Sequence, residues 1–144
     1  MDRIRKALPD DFVRIAEIEI FNYRLYFYPV FRYDPFYFGE LQVPSLAARY
    51  TRMNGFYVYD DGVVKGFFRL QGDELKKLFV EPVLQGQNIG AVLLEQAVRQ
   101  GARTLWALEK NERAIRFYQR HGFRLTGERR LEEDTTEYLV RMER

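Results

Sequence analysis

The chain has 144 residues, 47% of them apolar and 31% charged, with a net charge of +2. That composition suits a single folded domain with one core, and argues against a disordered chain or a nucleic-acid binder with a basic tail or stripe. The absence of cysteine excludes disulfides, thiolate metal ligands and a Cys nucleophile, and a lone histidine, His121, argues against a His-based triad or a metal site.

Met1-Asp2-Arg3 leads into polar sequence rather than an apolar leader. No apolar run approaches the ~20 residues of a membrane span. A cytoplasmic protein with no membrane partner is the expectation. Ile4-Arg5 reads as a short strand. Pro9, Asp10 and Asp11 then mark a helix start. Phe12, Ile15 and Ala16 recur at helical spacing for about three turns, with Glu17 and Glu19 read as a solvated face.

Residues 21–38 crowd ten aromatic rings into a segment broken by Pro29 and Pro35. They read either as core where two helices meet, or as a substrate pocket or a homodimer patch, since aromatics are enriched in both. Tyr26, Phe27, Tyr28 and Phe31 are the candidate substrate contacts. Residues 41–52 form a second helix. Residues 56–59 and 63–70 form a hairpin around Asp60-Asp61-Gly62. A third strand runs over 74–80 and stops at Pro82.

A Gln/Gly/Asn turn follows, then a helix over 89–100 with Ile89, Val92, Leu93 and Ala97 in phase. A helix start beside a strand end offers unpaired N–H groups and a positive dipole end to phosphate. Residues 104–108 are a short buried strand. A helix over 111–121 places Ala114, Phe117, Tyr118 and His121 on one face, with Gly122 as its stop. Two strands, 123–130 and 135–142, close the chain around the charged loop 131–134. The order is β-α-α-β-β-β-α-β-α-β-β, a mixed α/β (α+β) domain over residues 1–144.

Two stretches carry a resemblance. Val80-Glu81-Pro82 followed by Gln85-Gly86-Gln87-Asn88-Ile89-Gly90-Ala91 resembles the acetyl-CoA loop of the GNAT-type N-acetyltransferase superfamily. Asn111-Glu112-Arg113-Ala114-Ile115-Arg116-Phe117-Tyr118, closing with His121-Gly122-Phe123, resembles that family's second motif. The resemblance implies a mostly antiparallel central sheet of about six or seven strands flanked by about four helices. It also implies acetyl transfer from acetyl-CoA to a primary amine of a small molecule, amino acid or peptide, by direct attack in a ternary complex. The alternative on the same fold is a catalytically weak acyl-CoA-binding regulatory or interaction module. Asn88 stands where the family has its first glycine. Asn tolerates left-handed backbone angles better than most residues, so the turn is expected to survive.

Each requirement of acetyl transfer has a candidate. The backbone N–H groups of Gly86 to Ala91 can cradle the pyrophosphate, and by resemblance Gln85 and Asn111 contact the cofactor while the backbone of Leu78, Phe79 and Val80 meets pantetheine and the acetyl carbonyl. Read from position alone, Asn111 is an N-cap and Tyr118 a helix-face core residue. By resemblance Tyr118 also meets the cofactor and is the general acid for the departing thiolate. A phenol of pKa ~10 is protonated at neutral pH. Glu74 and Glu109 are the candidate bases. Between the first helix and the hairpin only Asp34 and Glu40 are acidic, beside Arg24, Arg32 and Arg49. That favours an amine with an apolar, aromatic or carboxylate-bearing body over a polyamine.

Overall fold

The computed structural model describes residues 3–144. The reading of the first two residues lies outside them. A seven-stranded sheet runs in the order β1-β2-β3-β4-β5-β7-β6. Its strands are β1 (Ile4–Lys6), β2 (Phe56–Asp60), β3 (Val64–Gln71), β4 (Glu74–Val80), β5 (Thr104–Leu108), β6 (Arg124–Leu131) and β7 (Tyr138–Glu143). All neighbours are antiparallel except β4 and β5. This is the mixed, mostly antiparallel sheet that the sequence implied.

Five α-helices flank the sheet: α1 (Phe12–Asn22), α2 (Tyr28–Phe31), α3 (Val43–Tyr50), α4 (Ile89–Arg99) and α5 (Glu112–Arg120). α2 is absent from the expected order because it is not a separate helix. The backbone stays helical from Phe12 through a π-helical turn, Tyr23–Phe27, into α2, and ends at Arg32 with φ of +50°. Proline explains the turn. In a regular α-helix the Pro29 ring would press on the carbonyl four residues back, and a widened turn relieves that clash. Pro35 opens a second π-helical stretch, Pro35–Glu40.

Alternation along the strands gives each face its own core. Phe68, Leu75, Val80, Leu105 and Met142 pack under α4. Phe67, Val58 and Phe56 pack under α1 and α3. Gly66 lets α4 sit close to β3, for a Cβ there would lie 2.9 Å from Leu93 Cδ1 and 3.0 Å from the Phe79 carbonyl. The aromatic segment divides. Tyr37 is buried, and Tyr23, Phe27, Tyr28 and Phe31 pack on the α1–α3 core. Phe21, Tyr33, Phe36 and Phe38 remain exposed.

The reading of Glu19 as solvated is corrected: its side chain is 1% exposed, whereas Glu17 stays at 44%. Glu19 Oε2 accepts from the Tyr50 hydroxyl at 2.7 Å, and Lys77 Nζ lies 3.4 Å from Oε1. Oε1 has no hydrogen-bond partner of its own. A buried carboxylate needs such partners to remain charged.

Burial pushes up the phenol pKa of Tyr23, Tyr37 and Tyr50, that of Tyr37 to about 12, and the Glu19 carboxylate adds to the shift of Tyr23 and Tyr50. Above pH ~10 the unfolded chain loses phenolic protons that the folded chain keeps. The unfolded state then binds fewer protons, so stability falls as pH rises through that window, by up to about 1.4 kcal/mol per pH unit for each tyrosine. The urea midpoint is expected to be clearly lower at about pH 11 than at about pH 9. Equal midpoints would mean that these phenols are solvated.

Candidate active site

The site is built on the place where β4 and β5 part. Their parallel pairing covers only Glu74↔Thr104 and Leu75↔Leu105. Beyond Leu75 the strands diverge, while β4 stays in register with β3 from Lys77 to Val80. The Glu81 N–H donates to the Lys65 carbonyl at 2.9 Å. By the alternation of an antiparallel ladder, Phe79 and Lys77 then bond toward β3, and the peptide groups of Val80 and Leu78 face the split. The Val80 carbonyl is taken, accepting from Asn22 Nδ2 at 2.9 Å and Gln85 Nε2 at 3.3 Å. The Val80 N–H and the Leu78 groups have no strand opposite them.

α1 holds the end of β4 in place. Buried Asn22 also donates to the Ile18 carbonyl, and its Oδ1 accepts from Gln85 Nε2 at 3.1 Å. Arg14 donates to Glu81 Oε2 at 2.7 Å and to the Val64 carbonyl at 3.0 Å. After β4 the chain turns through Gly86, with φ of +89°, and Asn88, with φ of +68°. Asn88 thus adopts the left-handed conformation expected of it, as the residue that caps α4. Its side chain makes no cap bond, which leaves the first turn of α4 with open N–H groups. A Cβ on Gly90 would come no nearer than 3.6 Å to any neighbour, Phe117 Cζ being the closest. Packing therefore does not demand glycine there.

Two cavities meet across the split. The first, of about 500 Å³, is walled by β4, the turn, the start of α4 and one face of α5. Leu78, Phe79, Val80, Gln85, Gly86, Asn88, Ile89, Gly90, Ala91, Asn111 and Tyr118 all line it. Of the expected cofactor contacts only Gln87, an exposed residue, does not. The wall carries Arg113, Arg120 and His121 and no carboxylate, which favours an anionic ligand. The second cavity, of about 310 Å³, lies on the other side of the split. Phe27, Leu78, Phe79, Asn111, Ala114 and Tyr118 belong to both.

α5 brings Tyr118 to this junction. Asn111 is its N-cap, with Oδ1 accepting from the Ala114 N–H at 3.2 Å. The Tyr118 ring packs edge-on against Phe117 and Phe123. Its hydroxyl has no hydrogen-bond partner among the described residues, and burial pushes its pKa up to about 12. His121 lies just past the helix, its ring 4.9 Å from that of Phe117.

The remaining candidates separate. Tyr26 lines the first cavity and ties its walls together: its hydroxyl donates to Gln85 Oε1 at 2.8 Å and accepts from Arg113 Nη1 at 3.1 Å. Phe27 lines both cavities. Tyr28 and Phe31 line neither, because they turn onto the α1–α3 core, where the Tyr28 hydroxyl bonds to Asp34 at 2.6 Å. Glu74 lines the second cavity, 3.1 Å from Lys76 Nζ. Glu109 lines neither, being held by Arg129 through two contacts of 3.0 Å. The sequence did not single out Asn22, Lys77, Trp106, Arg130 or Glu132, all of which line a cavity. Of these, only Trp106, an indole inside a short buried strand, carried a local signal.

The described residues contain no group of three or more His, Asp or Glu able to hold a metal, and no helix long and apolar enough to cross a membrane.

Comparison with known proteins agrees with this geometry. Residues 52–125 match the family model described as "Acetyltransferase (GNAT) domain". The peptidyl-lysine N-acetyltransferase YjaB of Salmonella typhimurium is 37% identical over 71 residues, covering 49% of each chain. Its Escherichia coli counterpart is 38% identical over 63 residues, 43% of each chain. The matches thus span about half the length, or less, of these curated relatives. In fold, the solution structure of apo YjaB from E. coli superposes with a TM-score of 0.75 at 22% identity, covering 97% of this chain and 95% of that one. The acetyltransferase yncA of S. typhimurium, solved with acetyl-CoA and termed putative in its description, gives 0.63 at 22% identity, covering 96% and 90%. The matched stretch is more than half of the chain and holds both motifs read from the sequence, and the chain belongs to the GNAT acetyltransferase family.

Proposed function

We propose that this protein is an N-acetyltransferase that moves the acetyl group of acetyl-CoA to a primary amine of a small molecule, amino acid or peptide within a ternary complex, in the cytoplasm. The observation that carries the reading is the split between β4 and β5, with Tyr118 lining both cavities beside it. The donor set suits CoA. Open N–H groups at the start of α4, with Gly86 and Gly90 leaving room, fit a pyrophosphate, and Arg113 and Arg120 add positive charge. A thioester laid along β4 would meet the Val80 N–H and the Leu78 peptide groups, which act as an oxyanion hole.

The amine enters from the second cavity. Its nitrogen attacks the acetyl carbonyl carbon, the C–N bond forms, and the C–S bond breaks. Tyr118 gives its proton to the sulfur, and the second proton, shed by the nitrogen as it becomes an amide, restores the phenol. Its raised pKa keeps that proton in place throughout the physiological range. The ammonium form of the acceptor must first lose a proton. Of the two carboxylates offered by the sequence, Glu74 is the one supported, since it lines the acceptor-side cavity. The printed name of YjaB adds support for a lysine side chain as one form of acceptor.

The test is turnover of acetyl-CoA with a mixed amine library, followed as free thiol. Release of thiol that depends on an amine is expected. Stabilisation by CoA without turnover would instead favour an acyl-CoA-binding module on the same fold.

A further inference from the structure

The acceptor-side cavity carries five charged side chains in its wall: Glu74, Lys76, Lys77, Arg130 and Glu132. Internal pairing neutralises three of them. Lys76 Nζ lies 3.1 Å from Glu74, and Lys77 Nζ lies 3.4 Å from buried Glu19. One cation and one anion are left, Arg130 and Glu132, and neither has an ion-pair partner among the described residues. The Glu132 carboxylate accepts only the neighbouring Glu133 N–H, at 3.2 Å.

Arg130 is not a loose surface side chain. Its guanidinium sits 4.2 Å from the centre of the Trp106 ring, and Trp106 lines the same cavity. Stacking on an indole fixes the plane of the guanidinium and uses its face, while the N–H groups along its edge stay available. A planar fork of donors matches a carboxylate, which it can bind through two parallel hydrogen bonds. Glu132 comes from the loop that follows β6. It lines the same cavity as Tyr23, Phe27 and Arg130. The two residual charges are thus of opposite sign and belong to one cavity, whose volume of about 310 Å³ suits one small ligand.

The geometry points to an acceptor that carries a carboxylate beside its amine, with the carboxylate on Arg130, the arriving ammonium facing Glu132 and its apolar body against Trp106. This deepens the acetyl-transfer reading and rests on it. The same chemistry has two sources: a free amino acid, or a peptide with an acidic residue next to the lysine.

Binding and turnover are measured separately. With CoA present, calorimetric titration compares L-phenylalanine, L-methionine and L-lysine with their carboxamides, and lysine peptides flanked by Glu with the same peptides flanked by Gln. At least one acid is expected to bind about tenfold or more tighter than its neutral partner, the usual size of a charge-assisted pair. Arg130→Gln is expected to bring that ratio close to one. The amino-acid arm and the peptide arm show which source applies. Equal or absent binding of acids and neutral partners in both arms overturns the inference, as does a preference that Arg130→Gln leaves intact. A preference without any thiol release upholds the recognition and removes the catalytic reading alone.

Discussion

Tyr118→Phe is expected to lower the rate of acetyl transfer about a hundredfold, at the low end of what a positioned general acid supplies. CoA affinity and the melting temperature should stay where they are. The variant removes one oxygen and no packing, for the ring still meets Phe117 and Phe123. The hydroxyl bonds to nothing else in the described chain, so its loss strands no protein partner. In the proposed mechanism the proton it holds goes to the departing thiolate. Single-turnover thiol release compared with CoA titration separates the two effects. Full rate in the variant would remove Tyr118 from the chemistry, and lost CoA binding would make its role structural.

Gly90→Val should do the opposite, sparing the fold and removing the cofactor. A Cβ at this position meets nothing nearer than 3.6 Å, and valine replaces the poorest non-proline helix former, so the free protein should still fold, with any packing cost set by the two added methyl groups. Yet Gly90 stands in the first turn of α4, in the wall where phosphate oxygens would approach the backbone. At a CoA concentration about 100 times its Kd, the parent protein should gain about 2.7 kcal/mol of stability. The variant should gain almost none. A variant that kept the full shift would place the pyrophosphate elsewhere. Gly66→Val is the contrasting control. There a Cβ meets Leu93 and the Phe79 carbonyl at 2.9 Å and 3.0 Å, so the free protein itself is expected to lose about 1 to 3 kcal/mol.

The central hairpins, β4, α4 and β5 were readable because their signals are local: alternation, helical spacing, and Gly or Pro at the ends. Asn88 was readable for the same reason, since left-handed tolerance belongs to the residue itself. The continuous helix through residue 31 was not. Proline usually ends a helix, and here a wider turn absorbs it instead. Glu19 and Asn22 were hidden by distance along the chain. Glu19 is bound by Tyr50, 31 residues on, and Asn22 by Val80, 58 residues on, so no local pattern separates them from solvated polar residues. Arg130 and Glu132 looked like an ordinary charged hairpin. Only the pairing of their neighbours shows that they are the two left over.

The short β4–β5 ladder has a mechanical meaning. Strands β1 to β4 and strands β5 to β7 are two plates joined edge to edge by only two residue pairs. On one face the core beneath α4 spans both plates and acts as a spine. On the other face, among the described residues, the core beneath α1 and α3 draws on β2, β3 and β4 and not on β5 to β7. The sheet is therefore a book held along its back, and a ligand laid between the plates works as a strut. It would complete the missing rungs and resist folding of one plate against the other. Occupancy and rigidity would then rise together, and hydrogen exchange along β4 and β5 is expected to slow when CoA is added.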